Sequence, residues 1–127
     1  MLDIWRHRPS VVALRIPRAL RHQSRRGYAW FVSRRNAILH RHREAIRAAA
    51  SRNNASSIAL AGSVARGTDE PHSDCDFVAE FADGATMLDM AGLELDLIDL
   101  LGCEVDVCAR RALQPPYDSM MEDAITL

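Results

Sequence analysis

The chain has 127 residues, 48% of them apolar and 26% charged, with a formal net charge of −1. That length closes one hydrophobic core and excludes two substantial ones, and the apolar share excludes wholesale disorder. No apolar run is long enough to span a bilayer, and Val11–Leu14, closed off by Arg15 and Arg18, is too short for a secretory leader. The expectation is therefore a soluble, cytoplasmic protein without membrane contact.

The small net charge hides a division. Residues 1–54 hold thirteen Arg against Asp3 and Glu44 (+11), whereas residues 55–127 hold three Arg against fifteen acids (−12). A basic arm beside an acidic domain is the simplest reading. Residues 1–32 mix Arg and His with Pro9, Pro17 and Gly27, and no helical stripe persists in them. They read as an Arg-rich N-terminal extension ahead of a domain over 33–127. The arm is open to three readings: a solvated extension, a weak nucleic-acid contact, or a partner for the acidic domain. Tyr28, Trp30 and Phe31 would stack on bases in the second and pack the arm onto the domain in the third.

Between Ser33 and Arg52, Leu39, Ile46, Ala49 and Ala50 recur at helical spacing among Arg residues, which predicts one amphipathic helix ending near Asn53 and Asn54. Ser57–Ala61 is a short apolar run that stops at Gly62, as a buried strand would. Asp74–Phe81 alternates, with Cys75, Phe77 and Ala79 on one face and Asp74, Asp76 and Glu80 on the other, and predicts a half-buried strand. Thr86 with Asp89 three residues on signals a helix start. Leu88, Ala91, Leu95 and Ile98 are its expected apolar stripe, Asp89, Glu94, Asp96 and Asp99 its wet face or a contact surface for a basic partner, and Gly102 its stop.

A third strand is expected over Cys103–Cys108, with Glu104 and Asp106 on one face. After Pro115 and Pro116, Asp118–Leu127 reads as a closing helix. The three cysteines, Cys75, Cys103 and Cys108, lack metal or redox spacing and read as free thiols.

The chemistry concentrates in Gly62-Ser63-Val64-Ala65-Arg66-Gly67 and Ser73-Asp74-Cys75-Asp76-Phe77. A glycine and a serine just after a buried strand let backbone N–H groups and a hydroxyl approach phosphate oxygens. Arg66 is a candidate for the same phosphates, with a structural salt bridge as the plainer alternative. Asp74 and Asp76, two apart on a strand, project to the same side, and Asp106 can add a third carboxylate from the next strand. Such hard oxygen donors suit Mg²⁺, and three of them can hold two ions roughly 3.5 to 4 Å apart. Glu104 is a same-face competitor of Asp106, and His72 reads as a solvated loop residue.

These residues resemble the nucleotidyltransferase superfamily that includes DNA polymerase beta, whose pattern is a G-S turn, a D-x-D strand and a later Asp. More closely, G-S-V-A-R-G-T-D-E-P-H-S-D-C-D-F and E-V-D-V resemble the minimal nucleotidyltransferases, the MNT antitoxins of bacterial HEPN/MNT toxin-antitoxin pairs. The resemblance spans about residues 34–127. It implies an α/β fold with a small mixed sheet flanked by helices, ATP as co-substrate with Mg²⁺, and a HEPN ribonuclease toxin as partner in a hetero-oligomer. The implied activity is transfer of AMP to a tyrosine hydroxyl of that toxin. Gly62 and Ser63 would then be nucleotide-binding, and Asp74, Asp76 and Asp106 both metal-binding and catalytic. Cys75 and Phe77 depart from the commoner aliphatic residues but belong to the core face. Two alternatives remain: a non-catalytic antitoxin that masks its toxin, and a nucleotidyltransferase acting on another acceptor, for which the chain lacks an additional helical domain.

Overall fold

The structure, a computed structural model, describes residues 33–127. The expectations for residues 1–32 lie outside that range. Ser33 caps the first helical segment, its hydroxyl accepting from the Asn36 N–H at 3.1 Å. The segment begins as α1 (Arg34–Asn36), passes through a π-helical turn (Ala37–Arg41) and breaks at His42 before α2 (Arg43–Arg52). The single helix expected here is thus interrupted, and the interruption has a packing reason. In a regular helix Ile38 and Ile46 would point about 80° apart. The extra residue of a π turn absorbs roughly one helical step, and both isoleucines reach the core, 2% and 0% exposed.

Asn54, in the left-handed region at φ 60, turns the chain into β1 (Ala55–Ala61). The short α3 (Gly62–Arg66) follows directly, then β2 (Cys75–Phe81). Next come α4 (Met87–Leu101) and β3 (Val105–Ala109), then 3₁₀ turns at Arg110–Ala112 and Tyr117–Met121, and finally β4 (Ile125–Thr126). The sheet runs β3-β2-β1-β4, with β1 antiparallel to both β2 and β4 and β2 parallel to β3. It is the expected mixed sheet, with α4 serving as the crossover that a parallel pair requires.

β1 and β2 are the interior strands. Ile58 through Ala61 are buried in succession, and Val78 is buried along with Phe77 and Ala79, so mid-sheet the simple alternation of faces gives way to burial on both sides. α2 packs on β1 and on α4, and α4 packs on β3.

Two expectations about the C-terminal half are corrected. The core stripe of α4 is not Leu88, Ala91 and Leu95: Leu93 and Leu97 are fully buried, while Met87 and Leu88 are 84% and 82% exposed. The closing helix over Asp118–Leu127 is replaced by a 3₁₀ turn and β4. The open edge of β1 supplies the reason: Ile125 and Thr126 pair with Leu60 and Ala59, and the Leu127 N–H donates to the Ile58 carbonyl at 2.9 Å. Those ladder bonds satisfy an interior strand that would otherwise present a bare edge. The ends of α4 are as expected, with a complete capping box between Thr86 and Asp89 and Gly102 in the left-handed region at φ 69.

Candidate active site

The site lies where β1 ends and β2 begins. Gly62 follows β1 with φ +68, a conformation that L side chains rarely adopt, and the Asp76 carboxylate occupies the space a Cβ would fill. A Cβ at position 62 would overlap Asp76 Oδ2 and lie 3.1 Å from its Cγ. The close contact at this glycine is with the Asp76 side chain, and the residues after Gly62 form a helical turn rather than a plain loop. Val64 and Ala65 anchor that turn in the core. The Ser63 carbonyl accepts from the Thr68 N–H at 2.9 Å, and Arg35 Nε donates to the Ala65 carbonyl at 2.9 Å.

Pairing registers the carboxylates. Asp76 sits opposite Ala61 on the antiparallel side and opposite Asp106 on the parallel side. Asp74 lies one residue before β2, and all three aspartates are half-buried. Burial, followed by the charges of Asp106 and Asp74, pushes the Asp76 carboxyl up to about 6, with Arg66 pulling in the other direction. Asp74, Asp76 and Asp106 are therefore brought together. Arg66 joins them at the margin, where it also pairs with Asp123 at 3.7 Å with both side chains about half exposed. His72 is exposed in the connecting loop, and Glu104 contributes its carbonyl, which accepts from the Cys75 N–H at 2.9 Å.

The donor set suits a hard divalent cation. Among the described residues no three His, Cys, Asp or Glu side chains close into a ready-made cage. An open arrangement of carboxylates is nonetheless what Mg²⁺ accepts, since it keeps waters and substrate phosphates in its shell. A cation among these carboxylates would relieve the repulsion that adds to burial in raising Asp76.

One residue with no sequence signal of its own is Arg34. Its Nε pairs with Asp69 Oδ2 at 2.9 Å, with both side chains more than four-fifths buried, and its Nη1 donates to the Ser73 carbonyl at 2.7 Å. Its Nη2 donates to the Glu70 carbonyl. The guanidinium thus clamps the loop that delivers Asp74. Nothing distinguished it among the many arginines of its neighbourhood.

The same loop ends beside two thiols. Cys75 Sγ and Cys103 Sγ lie 3.2 Å apart. The hydrogen bond between them raises Cys75 and lowers Cys103, and burial adds to the rise at Cys75 while Arg34 adds to the fall at Cys103.

Strand order, a D-x-D sequence leading into an interior strand and a glycine packed against its second aspartate define a nucleotidyltransferase fold. The chain belongs to the nucleotidyltransferase domain family, whose model matches residues 42–124, and within it to the minimal nucleotidyltransferases. A solved structure described as a "putative minimal nucleotidyltransferase" is 38% identical, with a TM-score of 0.63 over 71% of this chain and 93% of that one. Two proteins of Methanocaldococcus jannaschii named "putative protein adenylyltransferase" are 35% and 41% identical, covering 50% and 54% of this chain and 70% and 72% of theirs. A toxin-antitoxin complex with AMP-PNP shares the fold at 22% identity and a TM-score of 0.57, over 65% of this chain and 69% of that one. No helix among the described residues is long and apolar enough to cross a membrane.

Proposed function

We propose that the protein transfers AMP from ATP to a hydroxyl, a tyrosine of a cognate HEPN ribonuclease toxin, and so acts as the toxin's antitoxin. The observation that carries this reading is the register of Asp76 against Asp106 beside Gly62, whose missing Cβ makes room for the Asp76 carboxylate. The names of the Methanocaldococcus jannaschii relatives support the reaction class, and the toxin-antitoxin neighbour supports the kind of partner.

In this reading Gly62 lets the backbone approach the triphosphate, and Ser63 offers its hydroxyl and N–H to phosphate oxygens. Arg66, exposed at the margin, adds a charge-assisted contact. Asp74, Asp76 and Asp106 would hold Mg²⁺, which when bound supplies the positive charge that neutralises the triphosphate and favours loss of the acceptor's proton.

A second reading, neutralisation by contact alone, is favoured by the exposed apolar start of α4 at Met87 and Leu88. One experiment separates the two. The toxin is incubated with catalytic amounts of this protein, ATP and Mg²⁺, the two are separated, and intact mass and ribonuclease activity are measured. Transfer leaves the toxin heavier by AMP units and still inactive, because a covalent group persists without contact. An unmodified toxin that regains activity would contradict transfer, since protection by contact lasts only as long as the complex.

A further inference from the structure

Cys75 is the first residue of β2, fully buried and flanked by Asp74 and Asp76, and Cys103 is half-buried in the turn between α4 and β3. Their sulfurs at 3.2 Å are in hydrogen-bonding contact, and a disulfide needs about 2.05 Å. The remaining gap of roughly 1.1 Å is asymmetric in what can move to close it. Cys75 is held in an interior strand, paired with β3 at Val105 and bonded to the Glu104 carbonyl. Cys103 follows Gly102, which ends α4 in the left-handed region, and lies in the connecting turn rather than in a strand. The third thiol, Cys108, lies further along β3 opposite Val78.

We propose that Cys75 and Cys103 form a peroxide-oxidisable dithiol, a modification site whose disulfide closes at the root of the strand carrying Asp74 and Asp76. Cys103 is the attacking sulfur because it is the more accessible of the two, half-buried in a turn where Cys75 is fully buried in an interior strand. Its thiolate attacks one oxygen of hydrogen peroxide: the S–O bond forms, the O–O bond breaks, and the departing hydroxide takes up a proton and leaves as water. Cys75 sulfur then attacks the Cys103 sulfenic acid, forming the S–S bond and breaking the S–O bond, while the Cys75 proton leaves with the hydroxide as a second water. Two thiols are oxidised by two electrons and one peroxide is reduced to two waters. Drawing the Gly102–Glu104 turn against β2 shifts the base of the carboxylate site. Displacements near 1 Å are enough to weaken a positioned site severely. That consequence, unlike the dithiol itself, rests on the proposed role of the aspartates.

The test uses the full chain, reduced and then treated with hydrogen peroxide, denatured in the presence of an alkylating agent, and analysed by intact mass and peptide mapping. The expected product has lost two hydrogens, takes up the alkylating agent only at Cys108, and yields a linked Cys75–Cys103 peptide that dithiothreitol separates. Cys103→Ser should lose the linkage while keeping the fold. Oxygen addition at Cys103 without a linkage, or a linkage through Cys108, would overturn the dithiol. Calorimetry of ATP with Mg²⁺ then reads the consequence, with binding to the oxidised form expected to be several-fold weaker and restored by reduction. Linked protein that binds as well as reduced protein would overturn the coupling. Reduced protein that shows no Mg²⁺-dependent binding would instead overturn the carboxylate reading and leave the dithiol to be judged by mass alone.

Discussion

The two ends of the sheet treat their acidic residues in opposite ways. At the end where α4 begins, acids are absorbed into the fold. Asp89 closes the capping box with Thr86 and accepts from Asn54 at 3.1 Å, and Asp96, further along α4, accepts from Asn53 at 2.9 Å. At the other end Asp74, Asp76 and Asp106 converge, and burial, followed by the charges of Asp106 and Asp74, raises Asp76 to about 6. One end uses carboxylates as acceptors for N–H groups; the other leaves a concentration of negative charge in the folded state. Such an excess costs stability and is characteristic of functional sites.

The contrast is most strongly tested at Gly62. Gly62→Ala forces a side chain into a left-handed backbone and onto the Asp76 carboxylate, and should cost about 2 to 4 kcal/mol by thermal or denaturant unfolding. It should also abolish Mg²⁺-dependent ATP binding. Arg34→Ala comes next, removing the clamp on the Asp69–Ser73 loop at a cost of about 2 kcal/mol, since the Asp69 carboxylate loses its buried partner. ATP binding should weaken in parallel.

At the opposite end, Thr86→Ala should cost about 1 kcal/mol through the lost cap and leave ATP binding unchanged. A Thr86→Ala variant that lost nucleotide affinity would break the separation between the two ends.

The smallest expected effect has the opposite sign. Because the Asp76 carboxyl is raised in the folded protein, the native state holds that proton more tightly than the unfolded chain does. Its contribution is therefore present below the ordinary carboxylate value near 3.8 and is lost as pH rises through about 6. Asp76→Asn removes the loss. A shift of this size would correspond to about 3 kcal/mol for a fully buried group, and solvent screening of a half-exposed carboxylate reduces it to about 1 kcal/mol. The metal-free variant should thus be about 1 kcal/mol more stable than the wild type at pH 7 and equal to it near pH 4. Unfolding curves at the two pH values check this.

What the sequence disclosed follows the same division. Asp74, Asp76, Asp106 and Gly62 were legible because alternation along a strand and a glycine after a buried run fix where backbone and carboxylates meet, whatever the rest of the fold does. The capping box of α4 was legible for the same local reason. Its buried face was not, because apolar residues occupy more than one stripe of that helix, and Leu93 and Leu97 outcompete Leu88 and Leu95 only through contacts with α2 and β3. The π turn that brings Ile38 inward is equally a product of packing. β4 escaped detection because its helix-like spacing is overruled by the edge of β1, and Arg34 because its partners stand 35 to 39 residues away in sequence.

The most direct measurement of the central claim is calorimetric titration of ATP, with Mg²⁺ and with a chelator, into the wild type and the Asp74→Asn, Asp76→Asn double variant, with circular dichroism confirming that both are folded. The carboxylates and the triphosphate repel until a cation lies between them. The wild type should bind clearly with Mg²⁺ and only weakly with chelator, and the double variant should lose the difference. Equal affinity in the two conditions for the wild type, or a folded double variant that keeps the Mg²⁺-dependence, would contradict it.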